Sequence, residues 1–426
     1  MEQKMSVRMS VLTLAMAVSG SYAQSVPPDA GVLIQQIPRP GLLQSPSPVL
    51  PAELQPQPVA RAPGPKVRVL SFKVQGNSLL SQEQLAPTLA PYLNQLLDLG
   101  QLEQAVQALA QRYREDGWVV SAYLPAQDVT QGEVLIQIDE AKLGTLRLSV
   151  PEGLRGSQAL AQRYFDTLLS AGQALNIDAV DRAQLLGNEL LGLDVVTNFK
   201  KGQGVGTTDV EVSLRDKPAL AADLLADNAG ARATGRARLH AVMEWRNPLR
   251  GSDTWNLALM HTEGSDNVRL GVGVPVGVLG WRIGASAAQY QFRVIAPEFS
   301  TLKIKGDVQT LGLEASYPWV RQRDRSLSLL LNADRKTMDN RANGSITSHY
   351  RTQSGTVALQ GRQTDWLGGG GSTYAQLGLT AGRLNLNGSP NQTTDTLGAG
   401  TEGSYTKWRG DRKSTRLNSS HLVLSR

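Results

Sequence analysis

Apolar residues along this chain keep three rhythms in turn. Leu70, Phe72 and Val74 alternate with Ser71 and Lys73, the period of a half-buried strand. Ser81 with Gln84 three residues on forms a capping box that opens a short helix. Leu99, Leu102, Val106, Leu109 and Tyr113 then recur at helical spacing, and Gly117 stands where a helix end takes a positive φ at least cost. Strands at 118–124 and 133–140 complete the order β-α-α-β-β.

Residues 143–216 repeat that order. Leu146 and Leu148 sit in a strand, and a helix runs through Tyr164 and Leu169. Ala179, Ala183, Leu186, Leu190 and Leu193 give a second helical stripe, before strands at 195–200 and 208–216. A repeat of about 75 residues that keeps five elements in order marks two copies of one module.

After Pro218 the helical period vanishes. From 236 to 246, Ala237, Leu239, Ala241, Met243 and Trp245 alternate with Arg236, Arg238, His240, Glu244 and Arg246. Val268, Leu270, Val272 and Val274 alternate with Arg269, Gly271 and Gly273, and the pattern returns at Leu327 and at Ala375. Asn247-Pro248, the stretch 264–267 and Gly388-Ser389-Pro390 read as turns between them. Roughly ten such segments have the length a tilted strand needs to cross an outer membrane. A soluble β-sandwich would alternate similarly. Arginine and glycine on the inward set and Trp245, Trp255 and Trp281 near strand ends favour a membrane barrel with a wet lumen and an interfacial girdle. The pore-lining candidates are Arg236, Arg238, Arg246, Arg269 and Arg282.

The N-terminal region has its own signals. Lys4 and Arg8 precede an apolar stretch at 11–18, and Ser21-Tyr22-Ala23 offers small residues for a signal peptidase, so 1–23 reads as a cleaved secretory signal. Eleven of the 21 prolines fall between Ser25 and Pro65, making 24–66 an extended linker. Within it Ala30, Leu33, Ile34 and Ile37 share a helical face, with Asp29 as N-cap and Pro38 as a stop. So short a helix persists only if it docks on a surface; otherwise it is a transient turn.

Composition removes other classes. In 426 residues there is no cysteine, which excludes disulfides and thiolate chemistry. The net charge of +6 is not gathered into a basic patch with aromatics, which argues against nucleic acid. His240, His261, His349 and His421 are scattered without metal-ligand spacing. Residues 200–208 look superficially like a phosphate loop but lack its lysine and lie between two strands, as a hairpin loop does. No catalytic constellation emerges, so the expectation is a non-enzyme without cofactor or metal.

Four separated motifs carry a family resemblance. Residues 113–121 (YREDGWVVS), 124–129 (LPAQDV) and 132–134 (GEV) resemble the first polypeptide-transport-associated (POTRA) domain of two-partner secretion transporters, the hemolysin activation/secretion family of ShlB, FhaC and HecB type. Asp227-Asn228-Ala229-Gly230 with Thr234-Gly235-Arg236 resembles the start of that family's barrel, and Tyr317-Pro318-Trp319-Val320-Arg321 a later segment. Pro28-Asp29-Ala30-Gly31 resembles its N-terminal plug helix. The resemblance implies α+β periplasmic modules, POTRA 1 at 67–142 and POTRA 2 at 143–217, followed by a transmembrane antiparallel β-barrel from 218 to 410. It implies export of an unfolded exoprotein of hemolysin, adhesin or hemagglutinin type across a Gram-negative outer membrane by a monomer embedded in outer-membrane lipid. The exoprotein would add as a strand to a module edge. In the family that edge is usually the second strand, here Val119, Val120, Tyr123 and Leu124, or Val195, Val196 and Phe199. The rival implication is an outer-membrane assembly factor that inserts barrel proteins; the proline-rich plug segment and only two modules lean to export.

Two departures bear on the C-terminal part. The family closes a 16-stranded barrel and carries a late inward loop with a Val-Arg-Gly-Tyr-type motif, absent here. Residues 413–426 show neither alternation nor turn logic, and 414–421 resembles translated sequencing-adapter read-through. The expectation is a barrel lacking its last strands, with 411–426 a non-native tail.

Overall fold

The structure is a computed structural model that describes Ala30, Leu33, residues 66–365 and residues 371–416. The signal expected at 1–23 and most of the linker lie outside the described residues.

The first module runs β1 (Val67–Arg68), β2 (Ser71–Gln75), α1 (Gln82–Leu89), β3 (Leu96–Leu97), α2 (Leu99–Glu115), β4 (Val120–Tyr123) and β5 (Glu133–Glu140). Its main sheet has the order β2-β5-β4, β2 parallel and β4 antiparallel to β5. Both helices open on capping boxes, Ser81 with Gln84 as expected and also Asp98 with Gln101. Val106, Leu109 and Tyr113 turn one face of α2 onto Val74, Ile136 and Ile138, while Leu102 packs with Val69, Leu97 and Val134. Leu70 departs from the expected alternation. It lies ahead of β2, 56% exposed, because its N–H is drawn to the Gly132 carbonyl (2.7 Å) while neighbouring Val69 is buried.

The second module runs β6 (Lys142–Ser149), α3 (Gln158–Leu168), α4 (Ile177–Leu190), β7 (Leu193–Lys201) and β8 (Thr207–Asp216). Its sheet, β6-β8-β7, has the same parallel and antiparallel pairings. The equivalence reaches single residues. Glu140 at the end of β5 accepts from the N–H groups of Ser78 and Leu79, as Asp216 at the end of β8 does from those of Arg155 and Gly156. Leu193 belongs to β7, not to the helical stripe expected: Gly192, at φ +63°, turns the chain after α4. The glycine-rich stretch 202–206 is the hairpin loop between β7 and β8.

The modules are stitched together. Trp118, expected in a strand with Val120, instead bridges to Asn176, and Lys142 bridges to Ala174. Val119 donates to the Leu175 carbonyl (3.2 Å), and the N–H of Leu175 returns to the Ala141 carbonyl (2.8 Å). Gly117, at φ +79°, lies so close that a Cβ would meet Asn176 Oδ1 at 2.8 Å.

Beyond Pro218 stands one antiparallel sheet of ten strands: β9 (Leu220–Asp227), β10 (Arg238–Arg246), β11 (Thr254–Thr262), β12 (Ser265–Val276), β13 (Trp281–Arg293), β14 (Lys305–Arg321), β15 (Arg325–Ala342), β16 (Ser345–Asp365), β17 (Gly371–Asn385) and β18 (Gly403–Arg416). Each strand pairs with the next in sequence, and β9 and β18 form its two edges. Ser265, Asp266 and Asn267 belong to β12 and not to a turn, since Glu263 and Gly264 alone reverse the chain. The last strand runs on to Arg416, beyond the end expected at 410, with Lys413 paired to Tyr374.

One face of this sheet is a ladder of apolar rungs. Across β15, β16 and β17 they read Leu327-Gly361-Ala375, Leu329-Leu359-Leu377, Leu331-Val357-Leu379 and Ala333-Gly355-Ala381. Leu311, Leu313, Leu359, Leu377 and Trp408 on this face are exposed. Polar rungs close the ladder at Arg325 and at Arg335. Ten residue steps separate these two arginines, about 33 Å along a strand and about 25 Å along a normal tilted by about 40°. That is the height of the apolar band of an outer-membrane barrel.

Candidate functional site

Two kinds of surface can handle an extended polypeptide: an unpaired strand edge on each module and the second face of the large sheet. Each module sheet has two edge strands, β2 and β4 in the first and β6 and β7 in the second; the ones that bear on substrate are β4 and β7, each hydrogen-bonded within its sheet on one side only. Both are the second strands expected to receive substrate.

At β4 the open edge is shorter than expected. Val119 is committed to the inter-module junction through both its N–H and its carbonyl, which accepts from Ala141 (2.9 Å). Leu124 packs into the first module's core. Val120 and Tyr123 remain on the strand, with Tyr123 45% exposed. Past Tyr123 the freed edge of β5 is already occupied: the Gln127 carboxamide donates to the Leu135 carbonyl (2.7 Å) and accepts from its N–H (2.6 Å). The side chain stands in for a paired strand residue.

The same device recurs at β7. Asn188, on α4, accepts from the Val195 N–H (2.7 Å) and donates to its carbonyl (3.2 Å). Val195 is therefore buried and capped, not open as expected. Backbone groups of an edge strand point outward at alternate residues. The next outward pairs, those of Thr197 and Phe199, have no partner among the described residues. Val196 points its side chain off the opposite face, 39% exposed, while Phe199 stands 45% exposed at the free end of the strand. Sequence reasoning found this strand but not its cap, because Asn188 reveals its role only once α4 lies along β7.

On the large sheet, Arg238, Arg246, Arg269 and Arg282 alternate in phase with Met260, Tyr290, Phe292 and Val308, so four of the five arginines expected in the pore share the inner face. Three are held by carboxylates on that face: Arg238 by Asp227 (2.8 Å), Arg246 by Glu244 (2.6 Å) and Arg269 by Glu314 (2.7 Å). Arg282 is buried and donates to the Gly273 carbonyl (3.4 Å). Arg236 is the exception. It stands exposed ahead of β10, in the 228–237 connection, whose fold is closed by the Gly230 N–H donating to the Arg236 carbonyl (2.8 Å).

The short helix foreseen in the linker is represented by Ala30 and Leu33, both helical and both buried against Met260, Tyr290, Phe292, Val308 and Met338 of the inner face. The Ala30 N–H donates to Asn340 Oδ1 (2.9 Å), and Asn340 donates in turn to Ser348 (2.8 Å). Asp29, Ile34 and Ile37 lie outside the described residues.

At the opposite end of the strands, α4 clamps the turns of the sheet. Arg182 donates to the Pro318 carbonyl (2.8 Å), Asp178 accepts from Gln322 (2.8 Å), Asp181 pairs with Arg323 (2.6 Å) and Glu189 pairs with Arg321. Asn247, in the β10–β11 turn, donates to the Leu191 carbonyl (3.0 Å). The second module is thus fixed beneath the sheet, with β7 on the same unit.

Comparisons with known proteins agree with this arrangement. Residues 206–420 match the family model described as haemolysin secretion/activation protein ShlB/FhaC/HecB, and residues 67–141 match the POTRA domain of ShlB type. The heme/hemopexin transporter protein HuxB of Haemophilus influenzae is 24% identical over 323 residues, 75% of this chain and 55% of the relative. The outer membrane transporter CdiB of Dickeya dadantii is 22% identical over 320 residues, 73% of this chain and 56% of the relative. The chain spans little more than half the length of these two relatives. Among solved structures, CdiB from Escherichia coli superposes with a TM-score of 0.57 at 22% identity, over 78% of this chain and 62% of that one. CdiB from Acinetobacter baumannii gives 0.54 at 16% identity, over 80% and 69%. These likenesses show the fold: modules of POTRA type ahead of a barrel-type sheet.

Proposed function

The chain belongs to the haemolysin secretion/activation family ShlB/FhaC/HecB, and on that premise we propose that it receives an unfolded exoprotein at its POTRA edges and passes it across the outer membrane along the inner face of its barrel sheet. The observation that carries this reading is the pairing of a β7 edge, open beyond Val195 among the described residues, with a sheet whose inner face is lined by arginine–carboxylate pairs, the two clamped together through α4. An extended chain gains main-chain hydrogen bonds by adding to such an edge, without demanding one sequence. The charged inner face keeps the path hydrated. The helix at Ala30 and Leu33 closes that path at rest, with Asn340 as its latch. The periplasm offers no nucleotide, so folding of the cargo outside the cell draws it outward. The cargo class is a large secreted protein of hemolysin, adhesin or hemagglutinin type, carried by a monomeric transporter that performs no catalysis.

Deleting the gene in its host tests this. A large protein is expected to vanish from the culture medium and to return on complementation. A medium unchanged in every large secreted protein refutes export.

A further inference from the structure

Resting on the reading of the sheet as an outer-membrane wall, we propose that the outer face of β15–β17 carries a binding site for the phosphate groups of a phosphorylated outer-leaflet glycolipid, formed by Arg335, Arg351 and Arg383.

The site lies where the apolar ladder ends. Above the rung Ala333-Gly355-Ala381 comes Arg335-Gln353-Arg383, and above that Thr337-Arg351-Asn385. Arg335 and Arg383 flank Gln353 across two strand spacings, about 10 Å, and Arg351 is diagonal to each at about 8 Å. All three arginines are exposed, and none has an ion-pair partner among the described residues. Arg351 is oriented from behind: its Nε donates to His349 Nε2 (2.9 Å), and His349 is held by Asp339. That bond leaves the two terminal nitrogens of Arg351 uncommitted among the described residues. Asp339 and Asp307 face each other one rung higher, and Lys305 and Arg341 face each other on the rung after that, so the nearby acids are matched by further cations.

Height decides what such a triad can meet. Across β15–β17 the Arg335 rung is the first polar one beyond an apolar band about 25 Å tall, with Leu311 of β14 beside it at the edge of that band. Side chains there face lipid headgroups instead of hydrocarbon or open water. It lies at the end of the strands away from α4, hence in the outer leaflet when the modules are periplasmic. Guanidinium forks bind phosphate oxygens in bidentate fashion. Three of them within about 10 Å suit a lipid that carries more than one phosphate better than a phospholipid that carries one.

The test uses the full chain folded in detergent micelles, titrated with lipid A bearing two, one or no phosphates and separately with phosphatidylglycerol, with bound lipid counted by native mass spectrometry. Bisphosphorylated lipid A is expected to bind at least tenfold more tightly than the dephosphorylated form and than phosphatidylglycerol. Arg335→Gln/Arg351→Gln/Arg383→Gln should abolish the preference, and the corresponding lysine triple variant should keep most of it. Single glutamine variants, checked for folding by heat-modifiable gel mobility, replace the triple if it fails to fold; each should lose part of the preference. Equal binding of dephosphorylated lipid, equal binding of phosphatidylglycerol, or an undiminished preference in the glutamine variants overturns the site. None of these outcomes touches export, which the gene deletion tests alone.

Discussion

The Asn188 cap makes a quantitative claim about where cargo can add to β7. In Asn188→Ala, the outward-pointing Val195 N–H and carbonyl lose the carboxamide that pairs with them, bonds of 2.7 and 3.2 Å. Each neutral hydrogen bond is worth about 0.5–1.5 kcal/mol net, so the second module should lose about 1–3 kcal/mol of stability. The open edge, however, lengthens from the outward pairs of Thr197 and Phe199 to include Val195. An added strand then gains two more main-chain bonds at the same worth each, about 1–3 kcal/mol, or roughly 5- to 150-fold in affinity. A fluorescent cargo peptide titrated against the full-length variant by anisotropy measures this, with urea denaturation run in parallel. Tighter binding in a less stable protein is the signature. Loss of stability with unchanged or weaker binding would refute β7 as the receiving edge, because a purely structural Asn188 moves only the first quantity.

Other substitutions probe the remaining links. Gly117→Ala should destabilise the paired modules by about 1–3 kcal/mol, read in a thermal melt, since alanine must adopt φ +79° and its Cβ would press on Asn176. Tyr164, fully buried with its hydroxyl unpartnered among the described residues, is pushed up to about 12 by desolvation. A phenol held neutral above its unfolded value of 10.0 contributes stability that is complete below pH 10 and fades as the pH rises towards 12. Tyr164→Phe should remove that alkaline decline without lowering stability at pH 7, as followed by denaturation across that range. Leu331→Arg places a charge in the middle of the apolar ladder and should cost about 2–4 kcal/mol, seen as loss of the heat-modifiable band. Arg321→Met strands Glu189 without its partner and should loosen α4 from the sheet, seen as faster proteolysis at 217–219.

Much of the architecture follows from local pattern. The β-α-α-β-β order, its repetition and the ten alternating strands each depend on a period of two or 3.6 that short-range sterics and burial impose. The Ser81–Gln84 capping box and the Gly117 reversal are local for the same reason. Strand phase also placed Arg238, Arg246, Arg269 and Arg282 on one face, because alternation fixes which side a residue takes once the strand is placed. Arg236 escaped this logic because β10 begins two residues later, where the Asp227 and Arg238 side chains meet across the β9–β10 pair. Leu193 fell to β7 because a positive-φ glycine outweighed helical spacing.

What the chain alone left open were relations between distant segments. Whether the linker helix docks was undecidable from its four apolar residues; Asn340, more than three hundred residues away, supplies the partner for Ala30. The open length of each receiving edge depends on Gln127 and Asn188, two carboxamides indistinguishable in sequence from any surface amide. The arginine triad needs three strands in register before its members become neighbours. Pattern determines the elements and their faces, because it acts over a few residues; tertiary structure decides which edges are open and which charges meet, because those depend on contacts that no local period encodes.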